Sequence, residues 1–256
     1  MDVGERSGDG GGRRVVAILG AGGALGAAIS SRLASEPETD LVLSDLREDT
    51  LGATVDGLEG ATGSVETLLA DVSDPDQVDE VTARAVERFG RLDVVISNAG
   101  VLSPNGRIHN LRTEDWERAF RVNVLGAVNA VRSAVGVMRP QGGGSIVLTA
   151  SVSGMTAWSH AGPYCVTKAG VIELAKVAAV EYARDGIRVN CVCPGTFRSA
   201  IHDGLPDEAL DAIAARHPLG LGAAADVAGA YSYLAGGGSA WTTGAALVVD
   251  GGYAAP

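Results

Sequence analysis

The chain has 256 residues, 46% of them hydrophobic and 20% charged, enough apolar material for a large core and too much for wholesale disorder. A formal net charge of −11 argues against a duplex nucleic-acid partner, whose phosphates call for the opposite sign. Three cysteines (Cys165, Cys191, Cys193) are too few and odd for a disulfide framework, and no apolar run reaches the roughly 18–20 residues of a membrane span.

Residues 1–13 are glycine-rich and charged, without the apolar stretch of a signal peptide; they predict a flexible tail on a cytoplasmic protein with no membrane partner. No linker or composition shift divides residues 14–256, which predicts a single domain. Seven short, largely continuous apolar runs predict strands: 15–20, 41–45, 65–70, 93–97, 145–150, 187–193 and 246–249.

The first strand opens through Gly20, Ala21, Gly22, Gly23, Ala24, Leu25 and Gly26 into a helical pattern. Glycines let the backbone turn sharply and approach a pyrophosphate, which a helix N-terminus then stabilises. Asp45 ends the second strand, where a carboxylate is placed to accept ribose hydroxyls and repel a 2′-phosphate. Further on, Asp74 predicts an N-cap, Pro75 a first helical position and Gln77 a capping partner. Val78, Val81, Ala85 and Phe89 then mark the apolar face, and Gly90 the stop. Thr113 predicts the cap of a helix running through Trp116, Phe120, Val124 and Val131 to Arg139, ended by Pro140 with Gln141, Gly142, Gly143 and Gly144. Another helix is expected over 164–184, apolar almost all round at Val171, Ile172, Leu174, Val177 and Val180, as a subunit contact requires. Strand and helix alternating in this way predict an α/β doubly wound, seven-stranded parallel sheet with helices on both faces, of the Rossmann type. On the helix 164–184, Tyr164 and Lys168 are four apart and share a face, so the ammonium is expected to lower the phenol pKa.

Together these segments resemble the short-chain dehydrogenase/reductase family over about residues 14–254. Gly20, Ala24 and Gly26 resemble the three glycine slots of its nucleotide loop, with Leu19 in place of a Thr. Ala70, Asp71 and Val72 resemble its adenine-binding step, and Ser97, Asn98, Ala99 and Gly100 its fourth-strand end, with Ser97 in place of an Asn. Asn123, Ser151, Tyr164 and Lys168 match its catalytic set in order and spacing. Residues 194–199 (Pro194, Gly195, Thr196, Phe197, Arg198, Ser199) are similar to its nicotinamide segment, and 247–252 to its closing strand and turn.

The resemblance implies an NAD-dependent oxidoreductase that transfers a hydride between NAD(H) and a small-molecule secondary alcohol or ketone. Tyr164 is then the general acid or base, Ser151 a donor to the substrate oxygen, and Lys168 the group that tunes Tyr164 and holds the nicotinamide ribose. Asn123 would distort its helix and bind a relay water. Leu46, beside Asp45, joins the cofactor-binding set with Gly22, Gly23, Leu25 and the loop residues already named. It further implies a homotetramer. Two other functions fit less well, a 3-oxoacyl thioester reductase and a silent dinucleotide-binding scaffold. Cys191 and Cys193 read as buried free thiols rather than metal ligands, and no metal site is expected. Among the histidines (His109, His160, His202, His217), His160 and His202 fall in segments that line the family's substrate mouth, with Trp158 and Phe197 as apolar walls.

Overall fold

The order of elements follows the alternation in the sequence, and the computed structural model describes residues 12–199 and 207–255. Most of the expected tail, and His202, lie outside the described residues. The strands are β1 (Arg14–Leu19), β2 (Thr39–Asp45), β3 (Val65–Leu69), β4 (Val94–Ser97), β5 (Gly144–Thr149), β6 (Ile187–Pro194) and β7 (Ala246–Val249). They form one parallel sheet in the order β3-β2-β1-β4-β5-β6-β7. The chain reverses its direction of winding between β1 and β4, and a crevice opens beyond the carboxyl ends of the strands at such a point.

Strand alternation sorts the apolar side chains into two cores. Val15, Ala17 and Leu19 face one side with Ile146, Leu148, Cys191 and Cys193, against α3 (Pro75–Phe89), α5 (Gly126–Gln141) and α6 (Gly162–Tyr182). Val16 and Ile18 face the other with Leu41, Leu43 and Ile96, against α1 (Ala24–Ala34), α2 (Glu48–Asp56) and α8 (Ala224–Ala235), the helix that follows α7 (Asp207–Ala214). Cys191 and Cys193 are therefore buried on one face of β6, and both are free.

The helices follow local chemistry, with three corrections. The Asp74 carboxylate accepts from the Asp76 N–H as an N-cap, and Gly90 closes α3 at φ +79°. Gln77 does not reach the Asp74 N–H; its Oε1 accepts from the Asp71 N–H at 2.9 Å and its Nε2 donates to Asp74 Oδ2 at 2.8 Å. Thr113 is the first helical residue of α4 (Thr113–Ala119) rather than its cap, because Asp115 takes the Arg112 N–H at 3.0 Å. The expected single helix 113–139 is interrupted by a π-helical turn at Phe120–Leu125 before α5 begins. The end of α5 falls in the segment expected to stop it, Pro140 with the glycines that follow: the last turn runs on to Gln141, whose amide pairs with the Leu92 backbone, and Gly142 caps it at φ +88°.

On α6 the inner residues Val171, Ile172, Ala175, Ala178 and Ala179 are buried, whereas Val166 and Val177 are exposed and Val180 is 81% exposed. Among the described residues, no helix is long and apolar enough to cross a membrane.

Candidate active site

The glycine loop is held by contacts that leave no room for side chains. Gly20 sits at φ +88°, and a Cβ there would lie 2.5 Å from the Ala99 nitrogen. A Cβ on Gly26 would overlap the Gly20 carbonyl oxygen, so α1 could not seat against the turn. Gly23 differs: nothing lies within 4 Å of its Cβ position, and it caps α1 without a side-chain hydrogen bond. Gly23, Ala24 and Leu25 line a cleft of about 480 Å³. Open space over uncapped helix N–H groups is what a dinucleotide diphosphate requires. The loop thus fits a nicotinamide dinucleotide. Gly26→Ala is expected to destabilise the fold by about 3 kcal/mol, the upper range for overpacking. Gly23→Ala should leave thermal stability unchanged and weaken dinucleotide binding at least about tenfold, by filling the diphosphate space. Melting curves and dinucleotide titrations separate the two effects.

The Asp45 carboxylate lies beside this loop. Its Oδ2 accepts from the Gly22 N–H at 2.8 Å and its Oδ1 from the Arg47 N–H at 3.2 Å. The Arg47 guanidinium is turned to Asp49, with Nε and Nη2 on its two oxygens at 3.1 and 3.0 Å. This pairing holds the Asp49 carboxyl below the usual carboxylate range. Leu46 is exposed.

Across the crevice a buried hydrogen-bond chain braces the turn. Asn98 Nδ2 donates to the Gly20 carbonyl at 2.7 Å, and its Oδ1 accepts from Thr149 at 3.2 Å. Because the Thr149 hydroxyl donates there, the Tyr231 phenol donates to Thr149, over 2.8 Å. Tyr231 is wholly buried, which pushes its pKa up and keeps it a donor. Neither Thr149 nor Tyr231 carries a signal in the sequence; their roles come from packing between β5 and α8.

The Tyr164 and Lys168 side chains meet Ser151 at the end of β5. Ser151 Oγ accepts from the Ser153 N–H at 3.1 Å and shares a hydrogen bond with the Tyr164 phenol. Lys168 is buried; its Nζ donates to the Thr149 carbonyl at 2.7 Å and lies 5.7 Å from the Tyr164 ring centre. Burial lowers the Lys168 pKa to about 8. The expected lowering of the Tyr164 pKa is not found. Burial raises it, and the Ser151 bond offsets only part of that rise.

Asn123 lies in the π turn. Its side chain is taken up by both backbone groups of Val101, at 2.8 and 3.0 Å, and by Thr167 Oγ1 at 3.0 Å. It makes no direct bond to Lys168 in this arrangement, although Gly100 packs against both. A π turn of this kind displaces the helix by one residue and is often found at functional sites.

The cleft brings together Asn98, Gly100, Ser151, Tyr164, Lys168, Pro194, Gly195, Phe197 and Ser199 with Gly23, Ala24 and Leu25. It does not include Gly20, Gly22, Gly26, Asp45, Leu46, Ala99 or Asn123, which shape or flank it. Asp71 and Val72 also lie outside its lining: Asp71 Oδ1 accepts from the Ser73 N–H, and Val72 is buried against Gly126. Trp158 forms part of the wall, as expected. His160 does not; it is exposed at φ +68°, with its carbonyl held by the Gly106 N–H and its Nδ1 beside Ser159 Oγ. Among the described residues the lining histidine is His217, whose Nδ1–H donates to the Ile213 carbonyl while Nε2 accepts from the Thr196 N–H at 3.1 Å. Arg216, Tyr253, Val101 and Leu102 complete the cleft.

Residues 20–254 match a family model described as enoyl-(acyl carrier protein) reductase. The chain belongs to the short-chain dehydrogenase/reductase family. It is thus placed among oxidoreductases that act on CH–OH groups with a nicotinamide dinucleotide. The chain is 36% identical, over 94% of its length and 97% of the relative's, to the cis-4-hydroxycyclohexanecarboxylate dehydrogenase of Sinomonas cyclohexanicum. It is 43% identical over 71% of its own length and 73% of the other chain to the L-rhamnose 1-dehydrogenase (NAD(P)(+)) of a Sphingomonas species. The crystal structure of levodione reductase superposes at a TM-score of 0.89, with 30% identity, over 94% of this chain and 98% of that one.

Proposed function

We propose that this protein is an NAD-preferring dehydrogenase that interconverts a cyclic secondary alcohol and its ketone. The observation that carries the reading is the convergence of Ser151, Tyr164 and Lys168 on one cleft whose far end is the Gly23–Leu25 turn. The dinucleotide, when bound, supplies or accepts the hydride. Tyr164 passes the proton to or from the substrate oxygen, and Ser151 donates a hydrogen bond to that oxygen as charge develops. The Lys168 ammonium, anchored on the Thr149 carbonyl, binds the nicotinamide ribose and favours loss of the Tyr164 proton. Asn123, through Val101 and Thr167, holds the helix and the loop after β4 in register behind Lys168.

NAD is favoured by Asp45, which makes no ion pair among the described residues, the Arg47 guanidinium being turned to Asp49. Remaining members of the cofactor set are Asp71, Val72, Leu46, Ala99, Pro194, Gly195, Phe197 and Ser199, which flank the adenine and nicotinamide ends. The cyclic substrate class rests on the ring named for the Sinomonas relative and on the apolar walls Trp158, Phe197 and Ile213. The exposed apolar residues of α6, with Leu125 of the π turn and Val128 of α5, are proposed to be covered in a homotetramer.

The test is a panel of cyclic alcohols and ketones with NAD(H), followed through the ultraviolet absorbance of reduced nicotinamide. Turnover of cyclohexanol-type substrates with NAD is the expected result. Turnover confined to 3-oxoacyl thioesters with NADPH would replace this reading by the thioester reductase.

A further inference from the structure

We infer that Arg216 forms an anion-binding subsite at the cleft mouth, so that the preferred substrate carries a carboxylate on the side remote from its hydroxyl. The inference rests on the dehydrogenase reading only for the position of the hydroxyl. The charge distribution comes first. The chain carries 31 acidic residues against 20 Lys and Arg, yet the described residues lining the cleft include Lys168 and Arg216 and no Asp or Glu. Lys168 lies deep, with its Nζ on the Thr149 carbonyl; Arg216 lies at the exposed end.

Arg216 is held without a carboxylate. Its guanidinium carbon sits 4.7 Å from the centre of the Tyr253 ring, and Nη2 donates to the Tyr253 hydroxyl. Among the described residues it makes no ion pair, whereas Arg13, Arg47, Arg91 and Arg139 each have an acidic partner. A planar guanidinium laid on an aromatic face keeps its in-plane N–H donors available, in the geometry that matches a carboxylate.

Tyr253 also fixes where that donor edge lies relative to the reacting centre. Its ring meets Trp158 edge-on at 6.1 Å, and Trp158 lies 6.3 Å from the Tyr164 ring. His217 packs on the other side of Tyr253 at 4.8 Å. The aromatic wall therefore runs from the cation at the mouth to the proton-transfer phenol, and a ring-bearing substrate can lie along it.

The experiment measures binding without turnover, so it stands apart from the dehydrogenase assay. Cyclohexanecarboxylate and cyclohexanecarboxamide are titrated calorimetrically into the wild type, Arg216→Gln and Arg216→Lys. The wild type is expected to bind the carboxylate at least about tenfold more tightly than the carboxamide, a charge-assisted hydrogen bond being worth that much. Arg216→Gln should erase the difference with the melting temperature unchanged, and Arg216→Lys should keep part of it. Equal affinities in the wild type, no binding of either ligand, or a preference that survives in Arg216→Gln would each overturn the inference. Carboxylate binding with no alcohol turnover would leave the subsite standing and remove the dehydrogenase reading instead.

Discussion

Tyr164→Phe is expected to lower kcat roughly 10²–10⁴-fold while changing dinucleotide affinity by less than about twofold. The hydroxyl is the group that exchanges a proton with the substrate oxygen, whereas the ring and Lys168 remain to shape the ribose side. Burial raises the Tyr164 pKa, so the phenol stays protonated at neutral pH and is suited to donating toward a ketone. Lys168, lowered to about 8 by burial, is the group of the pair that titrates nearest to working pH. Above that value its charge is lost, and with it the ribose contact and the support for phenolate. Ketone reduction should therefore fall as pH rises through about 8, with the apparent value belonging to the coupled pair. In Lys168→Arg the falling limb should move to higher pH, because a guanidinium does not titrate there. A loss smaller than tenfold in the chemical step of Tyr164→Phe, read by single-turnover kinetics, would remove the proton-transfer role.

The wild type is expected to prefer NAD over NADP by at least about a hundredfold in kcat/KM. A 2′-phosphate against Asp45 places like charges together, at a cost of several kcal/mol, and each 1.4 kcal/mol is about tenfold. Arg47 is two residues away and is the natural rescuer, but Asp49 holds its Nε–Nη2 edge. Asp45→Ala alone should narrow the preference by weakening NAD. Adding Asp49→Ala frees Arg47, and the double variant should favour NADP. Equal efficiency with both cofactors in the wild type would show that Arg47 leaves Asp49 when the phosphate arrives.

The parts of this site that were legible in the sequence are those fixed by short-range spacing. The glycine loop, Asp45 at the end of its strand and the Tyr164–Lys168 pair each depend on a few consecutive residues, and the structure places them as the spacing requires. The π turn around Asn123 was implied by the family resemblance alone, because one extra residue in a helical turn changes neither composition nor capping. Arg216, His217 and Tyr253 were missed for another reason. Arg216 and His217 reach the cleft from the segment after β6, where Phe197 bridges to Gly222, and Tyr253 reaches it from the turn after β7, where the Gly251 carbonyl accepts from the Leu219 N–H. The direction of the Tyr164 shift was misread from sequence, since helical spacing reports a neighbouring charge but not how dry the pair becomes.

The brace on the Gly20 turn has a consequence for biosynthesis. The turn is written in the first tenth of the chain, but Tyr231, the outer end of the hydrogen-bond chain that supports it, is made near the end. Until α8 emerges and docks on α1, the Thr149 hydroxyl that donates to Asn98 lacks its Tyr231 partner. A nascent chain that has completed the β3-β2-β1-β4 half thus carries the nucleotide motif without its buttress. Competence to hold the dinucleotide arrives with the C-terminal quarter, and ribosome-bound chains stopped before residue 231 are expected to bind it poorly.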